Sequence, residues 1–337
     1  MARLTIADIA REAGVSKGAV SFALNGRPGV SEETRARILQ VAERMQWRPH
    51  SAARALGRSS AQLVGLVSAR PARTLGVEPF FAQIVSGLQA GLSAGGIGLQ
   101  LLVVEDTATE IEVYRGWSAE HRVDGVVLMD IQASDPRIAE VMRLGLPAVV
   151  LGDPLKGQAI STVSADDKAA MRRIVDYLAA IGHTRIHHIA GMAHLRHTRA
   201  RSSALRTAAK ALDLQVTTTT TDFSDTEGAA ATRAALSSSP TPTALVFDSD
   251  IMAVAGLAVA MEMGAEVPAD VSIVSFDDSV LVRLMHPAIT ALSRDTFALG
   301  EQVAATLVET IKNPGEVVRT TAAAPQLVVR ESTAPLR

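Results

Sequence analysis

The chain contains 337 residues, 47% hydrophobic and 20% charged, with a formal net charge of -2. This length predicts two or three globular domains with ample core. Cysteine is absent, which excludes a disulfide framework and thiolate chemistry. The sequence has no basic-then-apolar leader and no uncharged apolar run near the roughly 18 residues of a membrane span, so we expect a cytoplasmic protein without a membrane partner.

The formal charge is distributed unevenly along the chain. Residues 1–60 contain ten Lys and Arg residues against five Asp and Glu residues, which leaves +5 in this segment and -7 in the remainder. A basic terminal module on an acidic body indicates a polyanionic partner, most often nucleic acid.

The basic segment has the pattern of three short helices. Thr5 and Asp8 have the spacing of a capping box, and Ser16 and Ser31 precede the second and third helical patterns as caps. Two short helices joined by a tight turn, followed by a third that packs on them, predict a helix-turn-helix domain over residues 1–47. The alternative is a small helical bundle that binds nothing, and the positive charge counts against it.

Residues 48–61 read as a hinge helix and linker between this domain and the rest of the chain. Pro49 and Gly57 bound a helical stretch of about six residues, well below the roughly 12–15 residues that an isolated helix needs in water. We therefore expect this helix to form only when another group holds it.

Residues 62–337 alternate buried-strand patterns with helical patterns. Leu63 to Val67 is an apolar strand run, residues 80–94 are amphipathic, and strand and helix signals then alternate to the end. This order is typical of parallel sheets with helices on both faces. We expect an α/β body of two lobes, joined by several chain crossings and closing on a ligand in the cleft between them.

Several motifs resemble the LacI family of bacterial transcription regulators. In the basic segment they are residues 5–10, 13–16, 20–21, 24–26 and 30–35, in the hinge 48–49 and 53–56, and in the body 79–81, 122–125, 182–183, 277–278 and 327–332. The resemblance implies a helix-turn-helix domain followed by a periplasmic-binding-protein-like effector and dimerisation domain. It places lobe N at about 62–159 and 290–320, and lobe C at about 160–289 and 321–333.

The resemblance also implies a set of DNA-binding residues. Those expected to face bases are Lys17, Gly18, Ser21 and Phe22, and those expected at phosphates are Thr5, Ser16, Asn25, Ser31 and Thr34. In the hinge they are His50, Ala53 and Leu56, with two Leu56 side chains wedged into the minor groove at the operator centre. Where the family commonly has Arg, Phe22 offers an apolar contact and cannot make a bidentate bond to guanine. For Ser16 and Ser31, capping alone is the alternative explanation.

Effector-binding positions are implied in the same way. They are Phe80, Arg201, Phe223 and Asp277, with Ser249, Arg199 and Asp250 as further candidates. A guanidinium fork and a carboxylate suit sugar hydroxyls, and an aromatic face suits a pyranose or a flat base. The alternatives are that Asp277 caps a helix and that Phe80 is core.

Five histidines fall between positions 183 and 197 and raise the question of a metal site. His187 and His188 alternate along a predicted strand and so face opposite sides of the sheet. We therefore expect no metal, and instead one polar contact near the cleft from His194 or His197.

The sequence thus predicts a DNA-binding transcription regulator, a repressor, that binds a palindromic operator as a homodimer or tetramer and is associated with the nucleoid when bound. We expect a sugar or sugar derivative as effector, no cofactor and no catalytic residue. The alternatives are a solute-binding protein, a nucleobase- or nucleoside-responsive regulator of the same family, and a sugar-processing enzyme. Catalytic-serine and phosphate-loop motifs are missing from the sequence, which counts against the enzyme.

Overall fold

The computed structural model describes residues 4–24, 27–47, 60–70 and 75–336. The basic segment contains helices α1 Ile6–Ala13, α2 Lys17–Leu24 and α3 Glu32–Arg44. Their apolar sides meet in one small core around the fully buried Ile9, Val20 and Ile38. The expected three-helix domain is confirmed, and because each helix is short, this shared core is what stabilises it.

The body contains strands and helices in near-strict alternation. In chain order they are β1 Leu63–Ser68, α4 Pro79–Ser93, β2 Gly98–Val103, α5 Thr107–Ala119, β3 Gly125–Leu128, α6 Pro136–Arg143, β4 Ala148–Leu151, β5 Ser161–Ser164, α7 Asp167–Ala180, β6 Arg185–Ala190, α8 Arg196–Ala211, β7 Gln215–Thr220, α9 Asp225–Leu236, β8 Ala244–Phe247, α10 Asp250–Glu262, β9 Ser272–Ser275, α11 Val280–Leu284, β10 Thr290–Ser293, α12 Thr296–Lys312, β11 Arg319–Thr321 and β12 Gln326–Val328.

These strands form two six-stranded sheets, one in each lobe. The sheet of lobe N has the order β2-β1-β3-β4-β5-β11, and all its pairs are parallel. The sheet of lobe C has the order β7-β6-β8-β9-β10-β12, with only β12 antiparallel to its neighbour. The expected two-lobed α/β fold with parallel sheets is confirmed.

Lobe N is closed on one face by two helices that approach each other closely. A Cβ atom at Gly87 of α4 would stand 2.0 Å from the main-chain oxygen of Phe297, and one at Gly300 of α12 would stand 2.5 Å from that of Ile84. Only glycine fits at such backbone contacts. Helix α12, which follows β10 in the chain, is therefore firmly attached to lobe N.

The chain crosses between the lobes later than expected at two places. Residues 161–164 form β5, which pairs with β4 and β11 in lobe N, so the first crossing follows Ser164. Residues 290–293 form β10, which pairs with β9 in lobe C, so the second crossing follows Ser293. The expected boundaries at residues 160 and 290 are thus wrong by a few residues, because a short strand pattern does not indicate which sheet the strand joins. The third crossing lies between β11 and β12.

Helix lengths bear on a membrane location. None of the helices in the described part of the chain is both long and apolar enough to span a bilayer.

Candidate ligand cleft and nucleic-acid interface

Helix α2 presents one face to solvent. Val20 and Ala23 are buried against α1 and α3, while Lys17, Gly18 and Phe22 are exposed on the opposite side. Ser21 lies on that side as well, since positions 17, 18, 21 and 22 share a helical face. The structure therefore brings the four expected base-facing positions together on one surface.

The Phe22 side chain is packed against the turn that follows α2. A Cβ atom at Gly29 would stand 3.1 Å from Phe22 Cδ2, yet 41% of Phe22 is exposed. Arg35 of α3 holds this turn by donating to the main-chain oxygens of Ala23 at 3.3 Å and Arg27 at 2.9 Å. The exposed surface of α2 thus presents an apolar ring that is held in place by the following turn.

The expected phosphate-contacting hydroxyls lie at the amino-terminal ends of the three helices. Ser16 Oγ accepts from the Ala19 N–H at 3.1 Å, Thr5 donates to Asp8 at 2.7 Å, and Ser31 donates to Thr34 at 2.9 Å. Their capping and turn contacts are confirmed, and their phosphate contacts stay predictions. The expected contacts of Asn25, His50, Ala53 and Leu56 lie outside the described residues.

A cavity of about 440 Å³ lies between the lobes, at the carboxyl ends of the strands of both sheets. Five of the residues expected at the ligand line its wall, namely Phe80, Arg199, Arg201, Phe223 and Asp277. Phe80 also packs against the core of lobe N, so the core interpretation and the wall interpretation both hold for it.

Ser249 and Asp250 lie outside this wall, against expectation. Ser249 is the N-cap of α10 and accepts from the Met252 N–H at 3.4 Å, while its other side lines a smaller pocket beside Phe223. The Asp250 carboxylate accepts from the Ile251 N–H at 2.8 Å and is buried. Starting the helix, rather than facing the cleft, determines the orientation of both side chains.

The guanidinium of Arg201 is held in the cleft by two hydrogen bonds and an aromatic ring. Its Nε donates to Asp167 Oδ2 at 3.0 Å, and its Nη1 donates to the main-chain oxygen of Asp248 at 3.2 Å. The guanidinium carbon lies 3.7 Å from the centroid of the Phe276 ring. Burial alone would raise the pKa of Asp167, but Arg201 and Arg294 together lower it. The fork is therefore preorganised and held charged.

The pKa of the Asp277 carboxyl is shifted in the opposite direction from that of Asp167. Burial raises its pKa to about 7, although the nearby Arg201 and Arg294 act in the opposite direction. Near neutral pH the group is therefore both a donor and an acceptor of hydrogen bonds, which suits a ligand hydroxyl. The alternative that Asp277 caps the next helix is wrong, because Ser279 accepts from the Leu281 N–H and caps α11.

Lobe N contributes an ion triad to the wall, formed by Arg70, Glu78 and Asp130, and sequence reasoning did not identify Arg70 or Asp130. Arg70 Nη1 donates to both oxygens of Glu78 at 2.7 and 3.0 Å, and Nη2 donates to Asp130 Oδ1 at 2.7 Å. Burial raises the pKa of Glu78 against the opposing charge of Arg70. The available signal was position, since Arg70 and Asp130 closely follow the buried strands β1 and β3.

Phe223 is held in an unusual conformation at the cleft. Its φ is +70°, a left-handed value that L-residues rarely adopt, and such backbone strain clusters at functional sites. A Cβ atom at Gly191 would stand 1.8 Å from Phe223 Cζ, so the ring needs glycine at that position. With Arg70 on the ring, Phe223 is only 5% exposed.

Some of the five clustered histidines bond to side chains within lobe C, and another lines the cleft. His183 contacts Thr243 and Ser272, while His187 contacts Thr217 and Thr219. His197 lines the cleft, and burial lowers its pKa to about 4, so it is neutral at pH 7. His194 is exposed outside the wall. Within the described ranges, no group of three or more His, Asp or Glu side chains could hold a metal ion.

Comparisons with known proteins match both halves of this architecture. Residues 5–50 match the model of bacterial regulatory proteins of the lacI family, and residues 175–333 match a periplasmic binding protein-like domain. The chain is 32% identical to the HTH-type transcriptional regulator CelR of Thermobifida fusca, over 98% of each chain. It is also 32% identical to the HTH-type transcriptional regulator MalR of Streptomyces coelicolor, over 98% of this chain and 96% of the relative.

Solved structures agree with this assignment. A CelR–cellobiose complex has a TM-score of 0.75 and 31% identity, covering 98% of this chain and 100% of the other. The lac repressor dimer bound to operator and the anti-inducer ONPF has a TM-score of 0.85 and 23% identity, covering 99% and 100%, and shows the same fold. The fold and these matches define the class of protein, a helix-turn-helix transcriptional regulator with a periplasmic-binding-protein-like body. The chain belongs to the LacI family of bacterial transcriptional regulators, and its relatives are regulators rather than enzymes.

Proposed function

We propose that this protein is a repressor that binds a palindromic operator as a homodimer and responds to a neutral sugar in the inter-lobe cleft. The observation that carries the proposal is that Arg201 and Asp277 line the same cavity between the lobes of a chain with an exposed α2 surface. A preorganised donor fork beside a carboxyl that can both donate and accept matches a row of sugar hydroxyls.

The size of the cleft suits a small molecule, and a solved complex of a relative favours a sugar over a nucleobase. A volume of about 440 Å³ falls within the usual range of small-molecule sites. The Phe223 ring lies between Gly191 and the Arg70 guanidinium, so either a pyranose or a base would have to displace Arg70 to stack on it. The solved cellobiose complex of a 31% identical relative supports a sugar, while PurR repressors, at 27–28% identity, keep the nucleobase as the second candidate.

Exposed apolar side chains on both lobes support a homodimer. Lobe N exposes Leu101 and Val103 on the edge strand β2, and lobe C exposes Val280 and Leu284 on α11, the last at 77%. An uncovered edge strand and apolar helix surface indicate an interface. A dimer is also required functionally, because one short recognition helix reads few bases and a two-fold partner doubles the site.

The proposal is tested by selecting genomic fragments with the purified full-length chain, followed by mobility-shift titration at several salt concentrations, with and without cellobiose. We expect a palindromic site bound with a dissociation constant of about 10⁻⁸ M or tighter, weakening steeply with salt. Cellobiose should change this affinity by about fivefold or more. A chain that binds cellobiose but prefers no palindrome at any salt concentration would be a solute-binding protein, and hydrolysis of the sugar would make it an enzyme.

A further inference from the structure

We infer that Asp167 is a positioning residue that couples ligand binding at Arg201 to the relative movement of the two lobes. Its carboxylate joins this cleft arginine to Arg294, which lies in a segment where the chain crosses between lobes. The inference rests on the proposed ligand in the cleft and adds the route by which its binding reaches lobe N.

The three residues belong to different segments of the hinge region. Asp167 begins α7, shortly after the first crossing, and Arg294 directly follows β10 at the second crossing. Asp295 then caps α12 by accepting from the Ala298 N–H at 2.8 Å. Because α12 is packed glycine against glycine on α4, the segment that carries Arg294 connects β10 of lobe C directly to lobe N.

The carboxylate of Asp167 is shared between the two arginines. Arg201 Nε donates to Oδ2 at 3.0 Å, while Arg294 Nη2 donates to Oδ1 at 3.2 Å. Both guanidinium carbons lie near the same Phe276 ring, at 3.7 and 5.3 Å from its centroid. The side chains of both arginines are only 8% exposed. Charges this sheltered are weakly screened, so the position of one affects the other.

The other hydrogen bond of Arg201 cannot perform this role. Its Nη1 bonds the main-chain oxygen of Asp248, directly after β8 and within lobe C itself. That acceptor moves with Arg201 when lobe C moves. Among the described hydrogen-bond partners of Arg201, only Asp167 also accepts a hydrogen bond from a residue in a crossing segment, Arg294. When a ligand oxygen draws the guanidinium toward the cavity, the bond to Asp167 changes, and with it the restraint on Arg294. By linkage, lobe closure in turn changes the affinity for the ligand.

The first test is hydrogen exchange on full-length Asp167→Asn, with Asp176→Asn as the matched control. Asp176 lies on the same helix, is exposed, and pairs with Arg172 at 3.7 Å, so its substitution is chemically the same without the bridge. We expect the amides of residues 165–168 and 293–297 to exchange about tenfold faster in Asp167→Asn, with α3 and β8 unchanged. The control should match wild type. Equal exchange in all three proteins would overturn the inference, with no ligand needed.

The second test measures cellobiose affinity by calorimetry and operator affinity with and without cellobiose. We expect Asp167→Asn to bind the sugar within about tenfold of wild type, while the ratio of operator affinities falls to about one. Sugar affinity and ratio falling together would make Asp167 a plain ligand contact, and an unchanged ratio would exclude coupling; either overturns the inference. If wild type does not bind cellobiose, the proposed ligand fails, while the exchange result still decides the role of Asp167.

Discussion

The guanidinium of Arg70 in lobe N lies over the aromatic ring of Phe223 in lobe C, with 4.8 Å between its carbon and the ring centroid. The edge of the same guanidinium is engaged by Glu78 and Asp130. One side chain therefore compensates the buried Glu78 and the partly buried Asp130, and it contacts the opposite wall of the cleft. A ligand that stacks on Phe223 would have to displace it, so Arg70 helps to determine which ligands fit.

Replacing Arg70 by Met should destabilise the protein by about 3–5 kcal/mol, because the buried Glu78 and the partly buried Asp130 lose their counter-charge. Thermal unfolding of the variant measures this loss. Adding Glu78→Gln should recover part of the stability, since it removes one of the two uncompensated charges. An Arg70→Met variant as stable as wild type would show that the triad contributes nothing.

Replacing Arg201 by Ala should reduce effector affinity about tenfold to a hundredfold, the usual cost of a lost charged hydrogen bond, while operator binding without effector persists. Arg206→Ala is the matched control, because Arg206 lies on the same helix α8, is exposed and does not line the cavity. Dose–response curves of operator release or binding compare the two. Equal curves for Arg201→Ala and wild type would remove Arg201 from the ligand site.

Replacing Phe22 by Arg should change the preferred operator bases more than the total affinity. A bidentate arginine discriminates between bases by about 1–3 kcal/mol, whereas an apolar ring packed against Gly29 offers contact without donors. Selection of randomised operator sequences by the two proteins measures the change. An identical sequence preference would show that Phe22 does not face the bases.

Replacing Asp277 by Asn should raise stability relative to wild type as the pH rises from 5 to 8. Burial raises the folded-state pKa of Asp277 to about 7, well above the ordinary value of an aspartate, so the native state binds an extra proton between these two values. The contribution of Asp277 to the free energy of unfolding of wild type is therefore largest below pH 4 and is lost as the pH rises through 7. Measured by urea unfolding, the free energy of unfolding of wild type relative to Asp277→Asn should fall by about 1–3 kcal/mol between pH 5 and pH 8. A difference independent of pH would contradict the raised pKa.

Local sequence patterns were enough to predict the helices, the strands and the type of protein. Caps such as Ser31, the helical stripe of α3 and the apolar run of β1 are local patterns, so each predicted its element without reference to the rest of the chain. The dense motifs of the basic segment then indicated the family. The resemblance to that family also indicated Arg201, Phe223 and Asp277 at the cleft, and the structure places all three on its wall.

The pairing of charged residues and the places where the chain crosses between lobes became known from the folded structure alone. Arg70 and Asp130 are 60 positions apart, and Asp167 and Arg294 are 127 apart, yet each pair shares a bond. Charged residues in loops after strands have no periodicity, so the sequence gives no sign of their partners. The strands β5 and β10 likewise read as ordinary short strands. Their sheets follow from pairing with strands distant in sequence, and that pairing is a property of the folded molecule.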